Sequence, residues 1–326
     1  MKHIEVIVKS CFVYVGVYSC FALPGCFTTK TTNPGRAKLY TVLNQLLIPE
    51  GIAIHPRTGA IYLSSLHLNK VVSVQPDGLT TDLFPPGEGG FMKGLGMKFN
   101  SSGHTLWVCS SDGNGKTGLF EIDAISGKVV QQYRHDSALF FNDLVIAENG
   151  DIFVTDFYKG AVFRYVVGTG LELWLKADQL SLANGIALSS DGSTLFVASG
   201  NKGIQKIDVM SKQVESVTKG KRTDYGVDGL VTKGNQLIGV IGWPQDRREQ
   251  HRVIRYHLSA DHYLVRADTI AINASFLDCP TTAAVRKNSV FVLSTTNLGL
   301  YNRHTQHLEK VSDSLALPIV ARFELN

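Results

Sequence analysis

The chain has 326 residues, of which 44% are hydrophobic and 18% are charged. This composition suits a large globular domain with a substantial core and excludes an intrinsically disordered protein. The formal net charge is only +4 and its acidic and basic residues are interspersed. The clustered basic face of a nucleic-acid-binding protein is therefore not expected.

The first 25 residues have a pattern of their own, which predicts a secretory signal peptide. Lys2 and Lys9 give a basic start, residues 10–23 carry no charge, and "LPGC" follows. The apolar run is short for a membrane span, and a buried first strand is the alternative interpretation. "LPGC" resembles the bacterial lipobox. We therefore expect export to the periplasm or the outside of the cell, a lipid anchor on Cys26, and a linker over residues 26–37.

Cysteine usage agrees with this division. Cys11, Cys20 and Cys26 lie in the leader, which leaves Cys109 and Cys279 in the body of the chain. Two cysteines cannot form a disulfide framework or a zinc-binding set. We expect both to behave as small buried hydrophobic residues.

Short apolar runs recur along the rest of the chain, each after turn residues: "AIYLSS", "TLWVCS", "DIFVTD", "TLFVAS", "QLIGVI" and "SVFVLS". The repeat is about 42 to 46 residues long, which is typical of propeller blades. The pattern predicts an all-β, six-bladed β-propeller with four antiparallel strands per blade, in a single domain over residues 38–326. The predicted blades are 47–88, 89–138, 139–179, 180–222, 223–274 and 275–316, with "PIVARFELN" or "KLYTVLN" as the closing strand.

An oxygen-bearing side chain precedes the first strand in four of the repeats. These residues are Glu50, Asn142, Asn184 and Asp228. The innermost strand of a blade lines the central tunnel, so the four side chains should converge at one mouth of it. Leu95 takes the corresponding position in the second blade, and Thr281 or its neighbour takes it in the sixth.

Two carboxylates and two amides form a set of hard oxygen donors, which suits Ca²⁺ better than Zn²⁺. The set predicts one calcium ion at the tunnel, although other divalent metals are possible. The alternative is that these residues only cap turns before strands. Turn capping does not account for Glu50.

The motifs "PEG", "FFND", "LANG" and "GVDG" resemble, in this order and spacing, those of the senescence-marker-protein/gluconolactonase (regucalcin-like) family. That family is related to squid-type diisopropylfluorophosphatase and the paraoxonases, and the resemblance covers nearly all of the chain after the leader. It implies a calcium ion bound by Glu50, Asn142, Asn184 and Asp228, in hydrolases that act on lactones, esters or phosphotriesters.

The chain departs from its relatives at three places. Sugar-lactone members usually have Arg where this chain has Phe140, so a sugar acid lactone is not the expected substrate. Paraoxonases place a His in the second blade, whereas "MKGLGM" has none. The diisopropylfluorophosphatase has an acidic residue for its second calcium where this chain has Val231, which predicts a single metal.

Loops at the same mouth should form the substrate wall, and their aromatic residues favour a largely apolar substrate with one polar handle. For each residue singly, ordinary packing or solvent exposure is an equal alternative. His55, at the opposite end of its strand, is expected on the surface. The candidate wall residues are Phe140, Phe141, Phe157, Tyr158, Tyr225, Trp243, His67 and Arg222.

The sequence thus predicts an exported, monomeric, calcium-dependent hydrolase of the lactonase or esterase type that acts on a small molecule. Asp228 is the candidate base or nucleophile, and Glu50 chiefly holds the metal. No nucleic-acid partner is expected, and contact with a membrane only through the lipid anchor. The alternative is a noncatalytic propeller, braced by calcium, that binds a small ligand or a protein. A strictosidine-synthase-like propeller is a weaker third interpretation.

Overall fold

The computed structural model describes residues 37–219 and 225–325. The predicted leader, Cys26 and most of the linker lie outside these ranges. Within them the chain forms six antiparallel sheets of four strands. In chain order the strands are β1 (Lys38–Thr41), β2 (Pro49–Ile54), β3 (Ile61–Ser65), β4 (Val71–Val74), β5 (Thr80–Asp82), β6 (Lys93–Phe99), β7 (Thr105–Ser111), β8 (Thr117–Asp123), β9 (Val129–Tyr133), β10 (Phe141–Ile146), β11 (Ile152–Asp156), β12 (Ala161–Val166), β13 (Gly170–Lys176), β14 (Ala183–Leu188), β15 (Thr194–Ser199), β16 (Gly203–Asp208), β17 (Val214–Ser216), β18 (Val227–Lys233), β19 (Gln236–Ile241), β20 (Arg252–Leu258), β21 (Leu264–Ile272), β22 (Ala283–Arg286), β23 (Ser289–Thr295) and β24 (Ile319–Glu324).

Each sheet is one blade of a closed ring, so the predicted six-bladed propeller is confirmed. The first five blades are consecutive meanders, from β2–β5 to β18–β21, and their inner strands β2, β6, β10, β14 and β18 contact one another in that order. The inner strand of the sixth blade, β22, contacts both β18 and β2. The ring therefore has no open end.

The sixth blade is built from both ends of the chain. Its order from the axis outward is β22, β23, β24 and β1, with Lys38 opposite Arg322 and Thr41 opposite Ile319. The two segments that the sequence offered as alternatives, "KLYTVLN" and "PIVARFELN", thus both contribute a strand. The blade extends beyond residue 316, the end that the repeat predicts, because a helical segment separates β23 from β24.

That helical segment covers residues 296–318 and was not predicted. It contains α1 (Leu298–Arg303) and a 3₁₀ helix (Leu308–Ser314). Four other 3₁₀ helices are single turns, at Gln45–Leu47, Glu88–Gly90, Asp178–Leu180 and Arg248–Gln250. No helix in the described part of the chain has the length and apolarity that a membrane span requires.

The recurring apolar runs are the second strands of the blades. Every residue of β15, "TLFVAS", is buried, and the same holds for β23. The second strand of a blade packs against a neighbouring blade on each side. Both of its faces are therefore apolar, and apolar residues do not alternate with polar ones along the strand. The runs are continuous for this reason.

A β-bulge interrupts five of the inner strands near their start. In β2, for example, Pro49 pairs with Ser65 and Ile52 with Leu63, so two residues oppose Ser64 alone. Each bulge directs its first side chain away from the regular ladder. The bulged pairs are Glu50–Gly51, Leu95–Gly96, Asn142–Asp143, Asn184–Gly185 and Asp228–Gly229.

The second bulge residue is glycine in four of the five cases, because it touches the backbone of the next blade. A Cβ on Gly185 would lie 2.5 Å from Leu230 N and closer still to the Asp228 carbonyl. A Cβ on Gly229 would lie 2.5 Å from Thr282 Cα. The inner strands can therefore converge only where this side chain is absent.

Two hydroxyls connect neighbouring bulges. Gly51 N donates to Ser64 Oγ, which donates to the carbonyl of Leu95 in the next blade. Thr155 Oγ1 does the same between the third and fourth blades, since it donates to the carbonyl of Asn184 and accepts from Asp143 N. Buried backbone groups that the bulges leave unpaired are satisfied in this way.

Gly185→Ala should destabilise the ring, because the new methyl group meets backbone atoms that cannot move aside. We expect the free energy of unfolding to fall by about 1–3 kcal/mol or more, measured by denaturant titration. Gly200→Ala is the control, since its Cβ would meet only the Leu182 side chain, at 3.0 Å. Equal losses in the two variants would contradict a special role for the bulge.

Candidate metal centre

The four predicted ligands lie together on the propeller axis. They surround a cavity of about 10 Å³, which has room for one ion or one water molecule. The side chains come from four blades and from the same position in each bulge. The lining residues are Glu50, Gly96, Asn142, Asp143, Asn184, Asp228, Gly229, Thr281 and Thr282.

The second and sixth blades contribute differently, as their sequences predict. Leu95 is buried and packs in a hydrophobic cluster with Ile48 and Phe141, so it offers no ligand. Thr281 donates its hydroxyl hydrogen to the carbonyl of Glu50, at 2.9 Å. This bond connects the last blade to the first beside the cavity.

Asp143 is a third acidic residue of the site that the sequence analysis missed. Its Oδ1 accepts a hydrogen bond from Leu144 N at 2.8 Å, and its Oδ2 accepts a longer one from Ile186 N at 3.4 Å. Lys98 Nζ lies 3.8 Å from Asp143 Oδ1. A signal was available, since "FND" has Asp where "PEG", "ANG" and "VDG" have Gly.

Glu50 is an unusual buried carboxylate. Its Oε2 atom is buried and accepts no hydrogen bond from the residues that the structure describes. Burial raises the pKa of Glu50 well above its ordinary value, and the carboxylates of Asp228 and Asp143 add to the rise, while Lys98 opposes it. One oxygen of this carboxyl group thus lacks a hydrogen-bonding partner among the residues described.

Asp228 is in a similar environment. Burial raises its pKa to about 7, a hydrogen bond with the Asn184 side chain acts in the opposite direction, and Asp143 raises the pKa further. Without a cation, burial and the neighbouring carboxylates disfavour the ionised forms of both Glu50 and Asp228.

These features fit a hard divalent cation. The cavity is ion-sized, Glu50 Oε2 and Thr282 Oγ1 are both buried without a hydrogen-bond partner in the described residues, and oxygens surround them. Within residues 37–219 and 225–325, no three His, Cys, Asp or Glu side chains form a metal-binding cluster of their own. The amide oxygens of Asn142 and Asn184 would therefore have to complete the coordination.

Three of the candidate wall residues lie together on the third blade, at the end of the sheet where β10 begins. Phe140, Phe157 and Tyr158 pack edge to face, with ring centroids 5.1 to 6.3 Å apart. On the fifth blade Trp243 lies against Gly226, where a Cβ would be 2.9 Å from Trp243 Cβ. Tyr158 and Trp243 are each 45% exposed, so both offer apolar surface to solvent.

The other candidate wall residues have different positions. Phe141 is fully buried and packs on Phe163, so its assignment to the wall was wrong: it points into the core, next to the bulge. Tyr225 is half-buried beside Gly226, and His67 is exposed and packs against Tyr301 of α1. Arg222 lies outside the described residues.

Two further expectations concern residues away from the mouth. His55 lies in the β2–β3 turn, where its Nδ1 accepts hydrogen bonds from Arg57 N and Thr58 N. It is therefore a half-buried turn residue at the opposite end of β2 from Glu50. Cys109 and Cys279 are buried free thiols, as expected, and burial raises the pKa of both.

The helical segment 296–318 lies at the same mouth as the candidate ligands. Its Tyr301 hydroxyl donates to the carbonyl of Leu66, and the Gln45 side chain donates to the carbonyl of Ser312. The segment follows β23 at the end where the inner strands begin, and it is bonded there to the first blade.

A larger cleft, of about 340 Å³, lies on the sixth blade at the other end of the inner strands. Its arginines are engaged within the protein. Arg286 donates to the carbonyls of Pro56 and Arg57, and Arg322 donates to Ser289 and Glu324. The axial site remains the better candidate, because it has two buried oxygens without a hydrogen-bond partner among the described residues.

Solved structures similar to this one share the propeller fold. A gluconolactonase from Xanthomonas campestris aligns over 90% of this chain and 91% of its own, with a TM-score of 0.61 and 17% identity. A calcium-binding protein, regucalcin, from Agrobacterium tumefaciens aligns over 87% of this chain and 93% of its own, with a TM-score of 0.60 and 15% identity.

A virginiamycin B lyase from Staphylococcus aureus aligns over 89% of this chain and 99% of its own, with a TM-score of 0.57 and 15% identity. Identities this low establish the fold and leave the chemistry open. No curated protein sequence matches the chain significantly. The model of the SMP-30/Gluconolactonase/LRE-like region matches residues 48–310, and the chain therefore belongs to the SMP-30/gluconolactonase/LRE-like family.

Proposed function

We propose that this protein is a calcium-dependent hydrolase of the lactonase or esterase type. The observation that carries the proposal is the buried oxygen of Glu50, which has no hydrogen-bond partner within residues 37–219 and 225–325 and lies beside an ion-sized cavity on the axis. Family membership supports a lactonase-type propeller. One similar structure is described as a calcium-binding protein and another as a gluconolactonase, which supports the two parts of the proposal.

Glu50, Asn142, Asn184 and Asp228 would hold the cation. When bound, it would polarise a carbonyl or phosphoryl oxygen and stabilise the negative charge that develops there. Asp228 is the candidate for proton handling or nucleophilic attack, and its hydrogen bond with the Asn184 side chain holds the carboxylate in place. Glu50 has no such partner for Oε2 in the described part of the chain and would serve chiefly as a ligand.

The substrate that this mouth favours is apolar or aromatic, with one polar group to be placed at the axis. Phe140, Phe157 and Tyr158 form one apolar wall, and Trp243 offers another apolar surface. Phe140 stands where sugar-lactone relatives usually have Arg, so a polyhydroxylated sugar acid would meet an aromatic ring there. Aliphatic lactones and aryl esters fit the wall better than sugar lactones.

The noncatalytic alternative has its own support. Phe140 and the absence of His from "MKGLGM" remove two polar groups that relatives use. In that case calcium would brace the blades, and the aromatic mouth would bind a ligand without turning it over. Turnover of a substrate separates the two functions.

Export is also part of the proposal, on the pattern of residues 1–26. The basic start, the uncharged stretch and "LPGC" support a lipoprotein leader. An acyl anchor on Cys26 would hold the propeller at a membrane surface.

Calcium should stabilise the fold, and more so at higher pH. Because the pKa values of Glu50 and Asp228 are raised, the metal-free fold is favoured at low pH and loses stability as the pH rises from about 4 towards 7. At 100 times its Kd, calcium contributes about 2.7 kcal/mol, which shifts Tm by roughly 5 °C. Thermal melts with chelator and with calcium, from pH 5 to 8, measure this shift.

Glu50→Gln is the matched control for these melts. It removes the buried negative charge and keeps the size of the side chain, so it should lose most of the calcium-induced shift. In chelator at pH 8 it should melt at least as high as the wild type. A wild-type Tm that calcium leaves unchanged, or that zinc raises equally, would count against the site.

A substrate screen tests the activity. We expect calcium-dependent turnover of aliphatic lactones or aryl esters in preference to sugar lactones, in a panel that also contains phosphotriesters. Asp228→Asn should lower the turnover number by about a hundredfold even at saturating calcium, because an acid–base or nucleophilic group is lost. Initial rates as a function of calcium concentration give both values.

Because the Asn184 side chain is bonded to the Asp228 carboxylate, the control for this experiment is Asn142→Asp. It adds charge at a ligand and removes no reactive group, so it should change calcium affinity more than the maximal rate. If Asp228→Asn regains the wild-type rate at high calcium, Asp228 is only a ligand. If no compound in the panel is turned over, the noncatalytic function is favoured.

Cys26→Ser should release the protein from membranes. The wild type is expected to sediment with the membrane fraction, because acyl chains supply the attachment. Immunoblots of membrane and soluble fractions measure the change. A soluble wild type that is cleaved after another residue would contradict the anchor and leave export standing.

A further inference from the structure

Asp143 occupies a position that is glycine in the other four bulged strands. Its carboxylate fills the space beside Gly96 of the preceding blade, where a Cβ on Gly96 would lie 2.7 Å from Asp143 Cα. Oδ2 reaches the following blade and accepts the hydrogen bond from Ile186 N. A third negative charge is therefore fixed within the ring of candidate ligands.

Lys98 is the cation that faces this charge. It lies on β6, three residues after Leu95, and its Nζ is 3.8 Å from Asp143 Oδ1. Its side chain is 22% exposed and that of Asp143 only 5%, so solvent screens the pair weakly. Its positive charge also reaches Glu50, where it opposes the effect of the other carboxylates.

The charges around the cavity then sum to a defined value. Glu50, Asp143 and Asp228 contribute three negative charges when ionised, and Lys98 contributes one positive charge. We propose that Lys98, paired with Asp143, sets the net charge of the site to minus two and so makes it selective for a divalent cation. Lys98 is a positioning and selectivity residue here, and it does not itself bind the metal. The inference rests on the calcium site proposed above.

Coulomb's law predicts how strongly the charge of Lys98 affects the binding of different cations. Removing a positive charge near a bound cation strengthens cation binding, and the gain in binding free energy scales with the charge of the ion. The gain in log affinity for a trivalent ion should therefore be about 1.5 times the gain for a divalent one. A purely structural lysine would not produce this ratio.

The test is the binding of Ca²⁺ and Tb³⁺ to metal-free protein at pH 8, by isothermal titration and terbium luminescence. Lys98→Met should raise the affinity for Ca²⁺ at least about fivefold and that for Tb³⁺ more, in the ratio just given. Lys98→Arg keeps the charge and should stay within twofold of the wild type. Lys70→Met is the matched control, since Lys70, just before β4, forms a partly buried pair at 2.7 Å with Asp82 of the outer strand β5.

A charge-balanced double variant separates charge from contact. Asp143→Asn should weaken Ca²⁺ binding, and adding Lys98→Met to it should restore the affinity to within about threefold of the wild type, because the net charge is again minus two. Circular dichroism melts establish that each variant is folded. If Asp143→Asn does not fold, the comparison of Lys98→Met with Lys98→Arg still decides.

The outcomes distinguish the two proposals. A wild type that binds neither ion refutes the calcium site and this inference with it. A wild type that binds Ca²⁺, with a folded Lys98→Met whose affinities are unchanged or weakened, refutes the role of Lys98 alone. The role of Lys98 is also refuted if Lys98→Met raises the affinities for Ca²⁺ and Tb³⁺ by the same factor, or if Lys70→Met raises them as much as Lys98→Met does.

Discussion

The inner strands of the ring touch backbone to backbone at their bulges, and the rest of the structure depends on this contact. Gly185 and Gly229 each lie against the main chain of the following blade, and the Thr281 hydroxyl connects the sixth blade to the first. Every bulge thus fixes the position of the next one around the axis. The position of the first residue of each bulge is fixed in the same way, so candidate ligands from four blades can meet without any loop to position them.

The meeting of several carboxylates at the axis lowers the stability of the fold at the centre of the ring. Glu50, Asp143 and Asp228 would be more favourably placed in water or beside more than one lysine, and their mutual repulsion adds to the desolvation of Glu50 and Asp228. The surrounding blades are apolar and well packed, which offsets this local conflict. A departure from ordinary burial rules at a single point, in an otherwise consistent fold, is typical of a functional site.

Much of this arrangement could be predicted from the sequence, because a repeat of fixed length carries over from one blade to the next. The blade order and the position of the four oxygen-bearing residues follow from it. The role of Asp143 in the site was not predicted, because the replacement of Gly by Asp at one position can be interpreted only when the geometry of the bulge is known. Lys98 is distant in sequence from Asp143. Neither the composition of the chain nor the length of its repeat shows which residues of different blades are in contact. Phe140 and Phe141 are adjacent and chemically alike, and only the pairing of β10 separates the wall residue from the core residue.

The sharing of the sixth blade between β1 and β24 has a consequence for how the molecule is made. These strands pair across nearly the whole length of the chain, so the closure has a high contact order and a correspondingly large loop-closure entropy. During synthesis the first five blades can form in succession, each from local hairpins. Strand β1 stays unpaired during this time, because its partner β24 has not yet been made. The ring, and with it the junction between Thr281 and Glu50, is completed only after the last strand is released. A nascent chain therefore exposes an open sheet edge until β24 has been made, and misassembly would begin at this edge.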